Sequence, residues 1–358
     1  MLQGFTHNLG IVDTLWLLGL YLALFFCVLL HEYGHALMAR RYGVTTKDII
    51  LTPIGGIARL ERMPERPVQE FLVAIAGPMV NVFIALFLTG IAALVFRGEG
   101  WGIYQVLVGE YFDIGTQDGS SITDELPQTA YFSLLVHLSF LVVMNIWLVV
   151  FNLIPAFPMD GGRIFRSLLA MRFDRVRATQ IASWLGQGIA VLFILYGMWE
   201  WSSGNFNMLA VIGFFVFMFA RTENAMVRLD ALLRRFKARD LMRPQFTRLN
   251  MNDWMQTPVT LLQQGLERHF LVFDFADRLA GVLEESDIID ALKKRDLSAS
   301  IQEYADNNVT VVNQEQGLDQ VYQLLQQQGA SILAVTHENE VVGVIDRVGL
   351  QNFLRMQV

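Results

Sequence analysis

The sequence predicts a polytopic α-helical membrane protein of about five spans, with a short β hairpin near the cytosolic face, joined to a C-terminal α/β domain in solution. Three observations predict it. The 358 residues are 53% hydrophobic with a mean hydropathy of +0.39, an average that joins an apolar stretch reaching about Ala220 to a polar one after it. Five apolar runs in the first stretch approach the ~20 residues that a bilayer core requires of a helix. The second stretch repeats itself with a period of about 60 residues, the mark of two copies of one supersecondary unit. The chain thus divides into a membrane domain over 1–225, a linker over 226–237 and a soluble domain over 238–358, with copies at 238–293 and 298–356.

The spans fall at about 14–39, 69–96, 130–153, 178–200 and 206–222. Arg40, Arg41, Lys47, Arg59, Arg62 and Arg66 lie between the first two, whereas the segment from Gly98 to Gln128 has no Lys or Arg. By the positive-inside rule the former is cytosolic. Arg172, Arg175 and Arg177, and then Arg228, Arg234, Arg235 and Lys237, fall on the same side, which puts the N-terminus outside and the C-terminal domain in the cytosol. The first thirteen residues carry no Lys or Arg, and the first apolar run continues into ionisable residues, so it reads as a retained span of the cell membrane rather than a cleaved leader. The net charge of −7 and the lack of any basic run argue against nucleic acid as a partner. Cys27 is the single cysteine, so no intrachain disulfide forms.

The first span ends in HEYGHALMARR, and there the chemistry begins. His31 and His35 are four residues apart, roughly 6 Å along a helix axis and on one face, a spacing that lets two imidazoles hold one zinc ion. In H-E-x-x-H the glutamate, here Glu32, does not ligate; it takes a proton from water held by the metal and passes it to the leaving amine. The plainer alternative is a chance match, with polar residues snorkelling at a helix end. Ionisable groups beside a long uncharged run are costly in lipid, which favours function. At 1.5 Å per residue from Arg40, the zinc would sit roughly 13 Å beneath the cytosolic boundary.

Residues 48–60 (DIILTPIGGIARL) place β-branched residues on both sides of a Pro-x-Gly-Gly break, which reads as a strand or hairpin at the inner surface. It is either a connector or an edge that pairs with an unwound peptide near Gly55 and Gly56. The second span holds AGPMVN, where Gly77 and Pro78 permit close approach. Asn81 there either bonds helices together or holds substrate or an oxyanion. The third span ends in FNLIPAFPMDGG, a break at membrane depth of the kind tolerated only within protein or a water-filled cavity. Asp160 on that break can complete a two-His, one-carboxylate set, or else merely cap the next helix. Asn152 can donate to the scissile carbonyl or serve as a local cap.

Taken together, HEYGH, TPIGGIA, AGPMVN and NLIPAFPMDGG resemble, in order and spacing over residues 20–222, the site-2 proteases, intramembrane zinc metalloproteases of peptidase family M50, in the subgroup with a tandem CBS tail. The resemblance implies one zinc per chain on His31, His35 and Asp160, Glu32 as base, and substrate handling by Asn152 and Asn81. It implies a membrane-anchored protein as substrate in regulated intramembrane proteolysis.

The two copies in the soluble domain share a helix, strand, helix, strand, strand, helix rhythm and resemble paired CBS motifs. Such pairs carry clefts for adenine nucleotides of the ATP or AMP type, with the ribose held by the Asp of a G-h-h-x-x-x-D pattern. The first copy keeps Gly281 and Asp287, and the second has Gly343 but Gly349 in place of the acid. The alternatives for the pair are homodimerisation or packing on the membrane domain. For the whole chain, the alternative to a nucleotide-modulated protease is a non-catalytic, CBS-regulated membrane protein that binds or transports metal.

Overall fold

Among the described residues, five helices are long and apolar enough to cross a membrane, and in the computed structural model they are α1 (Ile11–Arg41), α2 (Pro67–Val95), α4 (Ala130–Leu153), α6 (Arg175–Ser202) and α7 (Leu209–Leu233). The structure describes residues 11–52, 55–60, 64, 66–96, 98–112, 130–202, 204, 207–265, 267–327 and 329–357. Two compact units result, 1–227 and 228–358.

The first unit is built inside out relative to a water-soluble protein. Leu22, Phe83, Leu86 and Leu192 are each more than 60% exposed, while Glu70, Asn81, Asn145, Arg166 and Thr179 are buried. Outward apolar side chains around an inward polar set are what a hydrocarbon solvent demands. Small residues bring the helices close, as where Gly34 of α1 meets Ala76 and Val80 of α2, and where Gly197 of α6 meets Ala210 of α7. Pro67 opens α2 at its first turn, where a missing N–H costs nothing, and Pro78 is accommodated within it.

Between α1 and α2, strands β1 (Thr46–Thr52) and β2 (Gly55–Leu60) pair antiparallel as the expected hairpin, with Thr52 opposite Gly55 and Leu51 opposite Gly56. Pro53 and Ile54 at its tip lie outside the described residues. Between the second and third spans lies a further helix, α3 (Glu99–Phe112). Tyr104 and Leu107 of α3 pack with Ala92, Phe96, Leu135 and Leu138, and the Thr89 hydroxyl lies 3.0 Å from that of Tyr104. The short helix α5 (Asp160–Ala170) follows the break after α4. The helix of the fifth span runs to Leu233, beyond the apolar stretch, because TENAMVRLDALL keeps good helix formers after the hydrophobic signal ends.

The second unit contains the repeat. After α8 (Ala238–Leu241) come β3 (Arg248–Asn250), α9 (Gln256–Gln263), β4 (Phe270–Phe273), β5 (Leu279–Leu283) and α10 (Glu285–Lys294). A 3-10 turn at Ile301–Glu303 then leads into β6 (Val311–Asn313), α11 (Leu318–Gln327), β7 (Ile332–His337), β8 (Glu340–Asp346) and α12 (Arg347–Gln357). Each copy forms a three-stranded sheet, parallel then antiparallel, in the orders β3-β4-β5 and β6-β7-β8. Leu271, Phe273 and Val282 of one sheet pack against Ile332, Ala334 and Val344 of the other. Isolated bridges from Arg243 to Val344 and from Asp306 to Val282 tie the lead-in of each copy to the last strand of its mate, so the copies fold as one tandem pair.

Candidate metal centre

Residues 31–35 lie within α1, so the i, i+4 spacing turns His31 and His35 to one side, their Nε2 atoms 3.1 Å apart and both rings buried. Asp160 opens α5, whose N-cap is Met159, so its carboxylate is not spent as the cap. Instead Oδ2 lies 3.1 Å from His35 Nε2 and 3.3 Å from His31 Nε2. The break delivers it there because Gly161 and Gly162 let α5 fold back on its own lead-in. A Cβ on Gly161 would sit 2.3 Å from the Ile154 carbonyl oxygen, and one on Gly162 would sit 2.7 Å from the Ala156 carbonyl carbon. No side chain larger than hydrogen fits at either position.

The donor set fits zinc. A tetrahedral ion with bonds of about 2.0–2.1 Å to nitrogen and oxygen separates its donor atoms by about 3.3 Å. The triangle of 3.1, 3.1 and 3.3 Å has that size, and three protein donors leave a fourth position. Protonation argues the same way. His35 donates Nδ1–H to the Val73 carbonyl at 2.7 Å, so in the neutral ring Nε2 presents a lone pair to the Asp160 carboxylate. Lone pairs facing each other at this distance repel unless a cation or a proton lies between them.

The other residues singled out in the sequence lie on α1, α2, α4 and the hairpin. Glu32 is partly exposed on α1. Gly77 of α2 faces the histidines directly, since a Cβ there would lie 2.2 Å from His35 Nε2 and 2.8 Å from His31 Nε2. One turn further on the same helix, Asn81 is fully buried, and among the described residues neither polar atom of its side chain has a partner. Asn152 is partly exposed in the last turn of α4. Gly55 and Gly56 open β2. The sequence reading missed Asn145, a fully buried residue of α4 that donates Nδ2–H to the Leu141 carbonyl. It also missed the buried Arg166 with its two acids, although Glu70 was legible as a lone acid in an apolar span.

In the second unit Asp287 accepts the Glu284 N–H at 3.0 Å and so closes the cap of α10. Burial raises its carboxyl above the ordinary range; the bond from Glu284 opposes the rise, and the charges of Glu284, Asp290 and Asp306 add to it. Two clefts occupy equivalent places in the tandem pair, and their charges are opposite. The one beside Asp287, about 270 Å³, is lined by Glu284 and Asp306 with no cation among the described residues. The other, about 330 Å³, is lined by Arg243, Arg268, His269 and Arg347 beside Glu267 and Asp346. Asp306 and Arg243, the residues of the two isolated bridges, are structural counterparts of opposite sign.

The profile described as Peptidase family M50 matches residues 19–196. The Synechocystis protein named "Putative zinc metalloprotease sll0528" is 32% identical over 355 residues, 94% of this chain and 83% of its own length. "Zinc metalloprotease MJ0392" of Methanocaldococcus jannaschii is 33% identical over 225 residues, 63% of this chain, and the match spans only 55% of that relative. Over the tail, the solved CBS domain pair of protein MJ0100, in complex with 5-methylthioadenosine and S-adenosyl-L-methionine, is 18% identical and covers 34% of this chain and 98% of itself, with a TM-score of 0.32. A paired-imidazole motif ending an apolar helix, a carboxylate brought to it by a Pro-Gly break, and end-to-end similarity to a named zinc metalloprotease converge on one conclusion: the chain is an integral membrane protein belonging to peptidase family M50.

Proposed function

We propose that the chain is a zinc-dependent intramembrane endopeptidase that hydrolyses peptide bonds in or beside the transmembrane helix of a membrane-anchored protein. The observation that carries this reading is the convergence of three buried donor atoms, from α1 and α5, inside a bundle whose outer surface is apolar. Zinc held by His31, His35 and Asp160 would supply Lewis acidity, lowering the pKa of water and polarising a peptide carbonyl. Glu32, adjacent to His31, accepts the proton of the attacking water and returns it to the leaving amine. Val73 holds His35 in one tautomer and orientation. The side-chain amides of Asn81 and Asn152 donate to the substrate carbonyl as it gains negative charge. The hairpin, at Gly55 and Gly56, pairs main chain to main chain with an unwound substrate, since a helical substrate shields its own peptide bonds. The orientation is N-terminus outside and tail in the cytosol.

The test uses the purified full chain in detergent and a panel of tagged single-span proteins. Chelation is expected to abolish cleavage, and one equivalent of zinc per chain is expected to restore it. Cleavage of the panel that is indifferent to chelation would overturn the reading.

The tail is proposed to adjust this activity by binding adenine nucleotide, and the charges favour one of its two clefts. Phosphates suit the cleft of Arg243, Arg268 and Arg347, whereas the acids of the cleft beside Asp287 repel them. Titration of the full chain is expected to show ATP affinity falling about tenfold in Arg268→Glu, roughly 1.4 kcal/mol, and holding in Asp287→Asn. The opposite pattern would move the phosphate site to the first cleft, and the absence of any binding would remove nucleotide control.

A further inference from the structure

Arg166 of α5 is 1% exposed and holds its charge through three contacts that converge from separate segments. Its Nε–H donates to Glu70 Oε1 of α2 at 2.8 Å, and its Nη2 binds the same oxygen. Nη1 binds Glu223 of α7, and the guanidinium lies over the Phe157 ring, 5.2 Å from its centroid. Phe157 belongs to the break that leads into Asp160 and is itself buried. Asp160 therefore sits on a short piece of chain gripped on both sides by one guanidinium.

The second half of the frame lies on α2. Glu70 is followed one turn later by Val73, whose carbonyl fixes His35, and after another turn by Gly77, which faces both imidazoles. The bond from Arg166 to Glu70 thus closes a ring of contacts: Asp160, α5, Arg166, Glu70, α2, Val73, His35. A buried cation in a membrane unit is costly, and nothing in proton transfer or substrate binding needs one about 9 Å along α5 from the carboxylate. What it does is fix the distance between α5 and α2, and with it the reach of the Asp160 carboxylate to the histidines.

We propose that Arg166 is a positioning residue that, through Glu70, Glu223 and Phe157, sets the place of Asp160 relative to His31 and His35 and so tunes the affinity and geometry of the metal site. This rests on the reading of Asp160 as a ligand. Lysine in its place keeps the charge but cannot reach two carboxylates with a rigid fork. Glu223, whose side chain is 32% exposed, is the arm whose loss the fold tolerates best.

The test is cobalt(II) binding by the full chain in detergent, read as affinity and as the visible d–d spectrum, for Arg166→Lys, Glu223→Gln and, as a neighbouring control, Ser167→Ala. Ser167 is buried beside Arg166, and among the described residues its hydroxyl donates only within its own helix, to the Ile164 carbonyl. Arg166→Lys is expected to weaken cobalt about 10- to 100-fold, the range for residues that orient ligands, and to shift the spectrum. Glu223→Gln should weaken it severalfold in the same direction, and Ser167→Ala should leave both readouts at wild type. If the Arg166 and Glu223 variants melt at lower temperature yet keep wild-type affinity and spectrum, the cluster is structural only and the proposal fails. Should Arg166→Lys not fold, Glu223→Gln decides alone. Asp160→Asn separates the two layers of argument: wild-type cobalt binding there would sink the ligand reading itself rather than the role of Arg166.

Discussion

Glu32→Gln is expected to keep one zinc per chain and to cleave single-span substrates about 10²- to 10⁴-fold more slowly than wild type, the usual contribution of a positioned general base. At about 1.4 kcal/mol per tenfold, that is roughly 3–5 kcal/mol of transition-state stabilisation lost with almost no change in the donor set. The isosteric amide preserves shape and solvation but cannot take the proton, so the split between metal content and rate is the informative part. Zinc content measured by elemental analysis beside the cleavage rate separates the proposed enzyme from its rival. A protein that only binds or transports metal gains little from a base beside the ligands. Its Gln variant would move metal as well as wild type does, and no cleavage of the panel would be lost because none would occur. Equal cleavage by both proteins would mean that Glu32 is not the base.

Most of this architecture was legible because lipid imposes simple rules. Apolar length located the five candidate spanning helices among the described residues, and the fourth and fifth were recognisable although each ends in polar residues. His31 and His35 were legible because helical periodicity needs no tertiary information, and the placing of Asp160 rested on two prolines and two glycines where an uninterrupted helix was otherwise expected. What was hidden depended on contacts between distant segments or on a signal the bilayer does not require. Helix α3 carries its buried face on Tyr104 and Leu107, too few apolar residues to stand out in a segment whose charge pattern reports only on which side of the membrane it lies. Past Ala220 the hydrophobic signal of the fifth span stops while helix propensity does not, so Leu233 could not be anticipated as the end. Arg166 finds Glu70 across 96 positions and Glu223 across 57, and no local pattern pairs them. The opposite charges of the two tail clefts became visible only when Arg243 and Asp306 were seen to hold equivalent bridges. By the Asp criterion alone, the first copy, with Gly281 and Asp287, is the one that keeps a full site.

Gly77→Ala sets helix propensity against the metal site, and the site is expected to lose. In an exposed helix interior the change from glycine to alanine stabilises by about 0.5–1 kcal/mol, and Gly90 of the same helix, with nothing within 4 Å of the added carbon, should show that gain. At Gly77 the same carbon would lie 2.2 Å from His35 Nε2 and 2.6 Å from Cε1, far inside contact distance. Relief can come in two ways. Helices α1 and α2 can separate, but Gly34 already packs against Ala76 and Val80, so parting them opens a void along that seam. Alternatively His35 can swing away, which breaks its bond to the Val73 carbonyl and takes Nε2 out of the triangle. Either way a penalty of about 1–3 kcal/mol for overpacking exceeds the propensity gain. Displacing one of the three proposed ligands should then weaken zinc by roughly 10- to 100-fold or more, as loss of an orienting partner does. Competition for zinc with a chelator of known affinity, run on Gly77→Ala beside Gly90→Ala, reads the effect without any substrate. Wild-type zinc affinity in Gly77→Ala would mean that the histidines do not converge on the face of α2 where the geometry puts them. Weakened affinity in both variants would trace the loss to α2 as a whole. A loss confined to Gly77→Ala ties the family's AGP segment to the metal site through a single missing methyl group.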